Sequence, residues 1–159
     1  EELDEWVKID LDGDEGYLYK DYVNVGAKLE EALSISELMY GSGVSDVRVA
    51  LSNFAKQYIG NPYVWGGTSL TKGADCSGFV QSVYANFGVS LPRTSYEQQN
   101  AGTEVSYADA QPGDLICYGG HVAIYMGNGQ IVHASNSVDG IKISDNAAYR
   151  TIVSVRRLV

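Results

Sequence analysis

From Leu115 onward the sequence reads as one β-strand after another, and no other feature narrows the fold so far. Alternating or continuous apolar runs fall at Leu115–Tyr118, His121–Met126, Gln130–Ser135, Ile141–Ser144 and Thr151–Leu158, with Gly- or Asn-containing turns between them. Two helical patterns precede that block. Val47, Leu51, Phe54, Ala55 and Tyr58 mark one apolar face, with Ser45 or Asp46 as its cap and Gly60 as its stop. Phe79, Val80, Val83, Tyr84 and Phe87 mark a second, opened by Asp75 and closed by Gly88. Helices first and an antiparallel sheet second define an α+β domain, its helices packed on a central sheet.

The second helix starts at a cysteine. Cys76 falls in its first turn, where unpaired backbone N–H groups and the helix dipole stabilise a thiolate and, later, the oxyanion of an acyl intermediate. The chain has only two histidines. His121 and His133 stand at ends of the strand-like runs flanking Gly127-Asn128-Gly129, so a tight hairpin there brings their rings together. A thiol with an imidazole to take and return its proton, and a second ring to orient the first, is the constellation of nucleophilic catalysis. The plain alternative is a buried small hydrophobe at Cys76; both histidines of the chain at strand ends, with glycines flanking them, favour the catalytic reading.

The segments that carry these residues resemble the NlpC family of cell-wall cysteine endopeptidases, compact papain-like enzymes. The resemblance runs from about residue 46 to 159 and rests on six ordered motifs. Pro62-Tyr63-Val64-Trp65-Gly66-Gly67 is similar to P-Y-x-W-G-G, Asp75-Cys76-Ser77-Gly78-Phe79 to D-C-S-G-[FL], and Leu91-Pro92-Arg93-Thr94-Ser95 to the segment after the catalytic helix. Pro112-Gly113-Asp114-Leu115, His121-Val122-Ala123-Ile124-Tyr125 with its Gly127 and Gly129, and His133-Ala134 complete the set. Ala123 stands where the family usually has Gly, and Cys117 where it has an aromatic or aliphatic residue.

The resemblance implies Cys76 as nucleophile, His121 as general base and then acid, and His133 as the polar third residue. It further implies that Tyr63 lies beside the nucleophile and helps bind oxyanion or substrate. Asp75 and Ser77 are expected to line the subsite for the amino end of a peptidoglycan stem peptide. Arg93 is expected to hold the free α-carboxylate of D-glutamate, a task its planar fork suits. The other readings are a surface charge for Arg93, core packing for Tyr63 and a capping role for Asp75. The implied reaction is hydrolysis of the bond between γ-D-glutamate and the following diamino acid, by a secreted or wall-associated bacterial monomer without cofactor. The alternatives are an amidase or acyltransferase on the same scaffold, or a wall-binding module whose catalysis has decayed.

Charge divides the chain. Residues 1–40 hold twelve Asp/Glu and three Lys, whereas residues 41–159 hold eight of each sign. An acidic first segment argues against nucleic acid as a partner, which demands a basic surface. Within it, Trp6–Asp10 and Tyr17–Val23 flank an Asp-Gly-rich turn, a hairpin pattern that resembles the last strands of a bacterial Src-homology-three-like barrel. The expected organisation is thus a partial barrel over 1–26, a linker over 27–45 and the catalytic domain over 46–159, in a fragment of a longer protein. Asp10, Asp12, Asp14 and Asp21 match calcium-loop spacing, but Glu15 stands where the turn glycine belongs, so a solvated turn is the better reading. No metal ligand set is expected. No apolar run approaches the roughly 18–20 residues of a membrane span, and both cysteines are expected to be free thiols.

Overall fold

In the computed structural model of the chain, residues 6–11, 14–19, 34–41 and 43–159 are described. The chain divides into two compact units, Glu1–Ala32 and Leu33–Val159. The first contains an antiparallel hairpin of β1 (Trp6–Leu11) and β2 (Asp14–Tyr19), in register from Trp6 opposite Tyr19 to Leu11 opposite Asp14. Two antiparallel strands are expected there, but β2 begins at Asp14, inside the expected turn, rather than at Tyr17; residues 12–13 and 20–33, with the rest of the barrel-like motif, lie outside the described residues.

The second unit opens with α1 (Ile35–Tyr40), in the stretch expected to be linker. A reciprocal capping box explains its presence: Ser34 accepts from the Glu37 N–H while the Glu37 carboxylate accepts from the Ser34 N–H. The helix α2 (Asp46–Lys56) follows, burying Leu51 and Ala55 as its pattern requires. Val47, expected on the same face, is 51% exposed. A short hairpin of β3 (Thr68–Ser69) and β4 (Gly73–Ala74) then feeds α3 (Cys76–Ala85).

Behind α3 come α4 (Ser95–Gln98), β5 (Thr103–Val105) and the strands β6 (Leu115–Tyr118), β7 (His121–Gly127), β8 (Gln130–Asn136), β9 (Gly140–Ser144) and β10 (Ile152–Arg157). They form one sheet in the order β5-β10-β6-β7-β8-β9, every pairing antiparallel. The five long strands coincide with the five expected from sequence. Short α4 and β5 were not foreseen.

Strand alternation gives the sheet two apolar faces. Leu115, Cys117, Val122, Ile124, Val132 and Ile141 pack with Leu51, Phe79, Val83 and Tyr84 of α2 and α3. Ile116, Tyr118, Ala123, Tyr125, Ile131 and Val155 form a second cluster. The Pro112-Gly113-Asp114-Leu115 motif fastens these layers. Asp114, wholly buried, receives both arms of the Arg157 guanidinium at 2.9 and 2.7 Å, and the Tyr84 hydroxyl donates to the Gly113 carbonyl. A buried carboxylate needs such a partner, and a bidentate fork satisfies it best.

Candidate active site

Cys76 is the first residue of α3, and the architecture around it is set by Asp75. The Asp75 side chain caps the helix by accepting from the Gly78 N–H at 2.8 Å, and it also accepts from the Gly66 N–H at 2.9 Å. One carboxylate therefore joins the start of the helix to the Tyr63–Gly67 loop. The two backbones touch: a β-carbon on Gly78 would sit 2.1 Å from the Gly67 carbonyl oxygen. This close approach is why the Asp-Cys-Ser motif needs a glycine as its fourth member.

Arg93 completes this wall. Its guanidinium donates to both Asp75 oxygens, at 2.9 and 2.7 Å, to the Ser77 hydroxyl at 2.9 Å, and at longer range to the Gly67 carbonyl. The expected fork left open for a substrate carboxylate is not what the site presents, because both arms are taken and only the Nε–H remains. The physical reason is Asp75, whose side chain is 10% exposed and needs a cation. Burial pushes the Asp75 carboxyl up, but the bonds from Arg93, Gly78 and Gly66 outweigh it and hold it below its ordinary range.

The thiol lies deeper than its sequence position suggested. Cys76 is 8% exposed, and burial pushes its pKa up, against the pull of the Val122, Ser77 and Cys76 N–H groups and with a further push from the Asp75 charge. The expectation of a thiol shifted down by the helix start is thereby corrected for the free site: desolvation outweighs the backbone donors. Tyr63 stands close by. Its phenol pKa is raised first by burial and then by the neighbouring Cys76.

The two histidines do meet. His121 Nε2 and His133 Nδ1 are 2.7 Å apart, and His133 Nε2 is 2.9 Å from Ser144 Oγ. Sheet register produces both contacts. Ile124 pairs with Val132, so along β7 and β8 the two rings are diagonal neighbours on one face; Ile131 pairs with Ser144, which makes Ser144 the diagonal neighbour of His133 on β9. Ser144 was not singled out from sequence, since no motif marks it and its partner is fixed only by the β8–β9 register.

Both rings are held neutral. Burial lowers His121 to about 3, with the charges of His133 and Arg150 adding to the effect, and lowers His133 to about 4, helped by Lys142 and Arg150. In a neutral line, Ser144 accepting from His133 Nε2–H leaves Nδ1 of that ring to accept from His121 Nε2–H. His121 Nδ1 then carries the free lone pair a base needs. Tyr118 stacks on the His121 ring, with centroids 5.8 Å apart, and limits its rotation.

A cavity of about 450 Å³ opens beside Cys76, lined by Trp65, Asp75, Ser77, Arg93, Tyr96 and Gly120 among others. Trp65, 86% exposed, and Tyr96, 63% exposed, form its aromatic rim. Cys117 is a free buried thiol raised to about 11 by desolvation, and it is wholly inaccessible. Among the described residues, no cluster of three His, Cys, Asp or Glu side chains could hold a metal ion, and no helix is long and apolar enough to cross a membrane.

Residues 60–157 match the NlpC/P60 family. The chain belongs to that family. Among NlpC/P60 relatives, the bifunctional muramidase/DL-endopeptidase CwlT of Bacillus subtilis is 40% identical over 111 residues, 65% of this chain and 33% of that protein. The peptidoglycan endopeptidase RipB of Mycobacterium tuberculosis is 37% identical over 146 residues, 77% of this chain and 59% of that protein. Its solved structure, titled a peptidoglycan hydrolase, superposes with a TM-score of 0.59 at 36% identity, over 73% of this chain and 69% of that one. The structure of RipD from the same organism, titled a non-catalytic NlpC/p60 domain protein adapted to peptidoglycan binding, gives a TM-score of 0.61 at 29% identity, over 73% of this chain and all of that one. The chain thus spans between about a third and three fifths of these two curated relatives. The α+β fold expected from sequence is the fold these structures share.

Proposed function

We propose that this chain is the catalytic part of a cysteine endopeptidase acting on peptidoglycan stem peptides at the cell wall. The observation that carries the reading is the hydrogen-bonded line His121, His133, Ser144, together with a thiol at a helix N-terminus toward which the N–H of Val122, the residue after His121, is directed. The family and the peptidases named within it support this substrate class.

In this mechanism His121 Nδ1 takes the Cys76 proton as the sulfur attacks the scissile carbonyl carbon. Because burial keeps the resting pair neutral, proton transfer accompanies attack rather than preceding it. The resulting oxyanion is met by N–H groups at the start of α3 and by the Tyr63 hydroxyl. As the carbon–nitrogen bond breaks, His121 returns the proton to the leaving amine, and a thioester remains on Cys76. Water then attacks the thioester, giving its proton to His121, and the acid product leaves as the thiol is restored. His133 orients His121 and stabilises its transient charge, and Ser144 fixes which nitrogen of His133 accepts.

We further place the cleaved bond between γ-D-glutamate and the following diamino acid. The resemblance in the six motifs supports this choice, and so does the DL designation of CwlT. The roles of the cavity residues are revised: Asp75, Ser77 and Arg93 form a charge-paired wall against which the amino end of the stem peptide lies. Selection for the glutamate α-carboxylate falls to Arg93 Nε–H and backbone donors rather than to an open fork.

Mass spectrometry of peptidoglycan fragments after incubation with the chain tests the reading. New fragments ending in γ-D-glutamate are expected. A cut at another amide would redirect the specificity, and binding to the wall without any cut would place the chain beside RipD instead.

A further inference from the structure

The nucleophile side of the site is charge-paired, but the histidine side carries a cation with no acidic partner among the described residues. Arg93, Arg156 and Arg157 each pair with a carboxylate, whereas Arg150 has none within ion-pair distance among the described residues. It is also not loose. Its guanidinium carbon lies 5.3 Å from the centre of the Tyr149 ring, a stacked cation–π arrangement. The Tyr149 ring in turn lies 6.1 Å from His133 and 5.4 Å from Tyr118.

The loop presenting this pair is fastened at its base. Ala147, wholly buried, donates its N–H to the Gly129 carbonyl at 2.7 Å and accepts from the Tyr118 hydroxyl at 2.6 Å. Tyr149 remains 42% exposed, and Arg150 is exposed. Burial is the main cause of the low histidine pKa values, and the Arg150 charge contributes at both rings, which places the guanidinium within electrostatic reach of them.

The chemistry of the proposed reaction says what should sit there. His121 must hand its proton to the leaving nitrogen, so the residue bearing that nitrogen lies on the histidine side of Cys76. The acyl portion occupies the cavity at Trp65, Arg93 and Tyr96, whose lining includes neither Tyr149 nor Arg150. We infer that Tyr149 and Arg150 form the subsite for the residue on the amine side of the scissile bond, and that the group they take is a carboxylate on that residue. Tyr149 supplies a flat wall and Arg150 a charge with open donors, held in place before the substrate arrives. This inference rests on the peptidase reading of Cys76 and His121.

Two peptides test it: L-alanyl-γ-D-glutamyl-L-lysine with its C-terminal carboxylate free, and the same peptide amidated there. Wild type is expected to show about tenfold higher kcat/KM for the free acid, the lower end of what a charge-assisted hydrogen bond confers. Arg150→Gln should lose that preference by slowing on the acid alone, staying within about twofold on the amide, and Arg150→Lys should keep part of it. Equal loss on both peptides, or no preference in wild type, overturns the subsite. Binding of both peptides to Cys76→Ala, with and without Arg150→Gln, separates the two layers. Acid-selective binding that Arg150→Gln removes supports the subsite even if wild type cleaves neither peptide, a result that would sink the peptidase reading. Cleavage of both with no discrimination in either assay leaves the peptidase and removes the subsite.

Discussion

The two walls of this site are built on opposite electrostatic plans. At the start of α3 a carboxylate, a guanidinium, a hydroxyl and two backbone N–H groups saturate one another around Asp75. Across the thiol, β7, β8 and β9 present two neutral imidazoles and a hydroxyl in single file. The first wall tolerates charge because every charge is paired. The second keeps its own rings uncharged at rest, and on the proposed mechanism His121 is thereby able to accept a proton when one is delivered. On the proposed mechanism this is a division of labour: paired charges hold the nucleophile still, and a neutral line keeps the base ready.

Deleting the group between the walls has the largest effect. Cys76→Ala should abolish hydrolysis in a fragment-release assay while circular dichroism and melting stay near wild type, because no other thiol can form the thioester. Cys117→Ala, at a wholly buried thiol in β6, should retain most of the activity.

On the histidine wall, His121→Ala is expected to lower kcat by about a hundred- to ten-thousand-fold, the range for losing a general acid–base group. His133→Asn should keep a measurable fraction, since it can still accept from His121. Steady-state kinetics on one peptide ranks the pair, and a greater loss at position 133 would exchange their roles.

On the nucleophile wall the expected damage is structural first. Arg93→Lys keeps the charge but cannot bind both Asp75 oxygens and Ser77 together. It should destabilise the fold by about 1–2 kcal/mol, a charge-assisted value discounted because Arg93 is 35% exposed. Denaturant unfolding measures it. Combining Arg93→Lys with a substrate amidated at the glutamate α-carboxylate should give partial coupling in kcat/KM, as loss of the single Nε–H contact predicts, and full additivity would leave that carboxylate to backbone donors alone.

Smaller still is the effect of the line's last member. Ser144→Ala should lower kcat about two- to twelvefold with KM little changed, as loss of one neutral hydrogen bond predicts, and Ser144→Thr should recover most of it.

Acid titration distinguishes the walls without mutation. His121 and His133 titrate at about 3 and about 4, below the ordinary 6.5. The unfolded chain therefore binds protons as pH falls through about 6.5 while the folded chain does not, so stability drops from there toward pH 3–4. The acid limb of kcat/KM should likewise lie below the usual histidine range.

Much of this was legible in the sequence. Period-two runs separated by Gly and Asn fixed the five long strands, and the Gly127-Asn128-Gly129 turn implied that the histidines meet. What stayed hidden depends on distance through space. Asp75 and Arg93 are 18 residues apart and pair because the chain after α3 returns to the start of that helix. Ser144 reaches His133 through a register that a bulge between Ala134 and Asn136 shifts, and no turn chemistry announced it. The burial that raises the thiol is a property of the packed domain. Helix α4 and strand β5, of four and three residues, are too short to show a period.

The most direct test is to catch the acyl-enzyme. Turnover on the stem tripeptide is quenched in acid, and the protein is digested and mapped by mass. The proposed mechanism predicts a γ-glutamyl adduct on the peptide containing Cys76, absent from Cys76→Ala and increased in His121→Gln if deacylation slows more than acylation. An adduct on Cys117, or undiminished cleavage by Cys76→Ala, would contradict it.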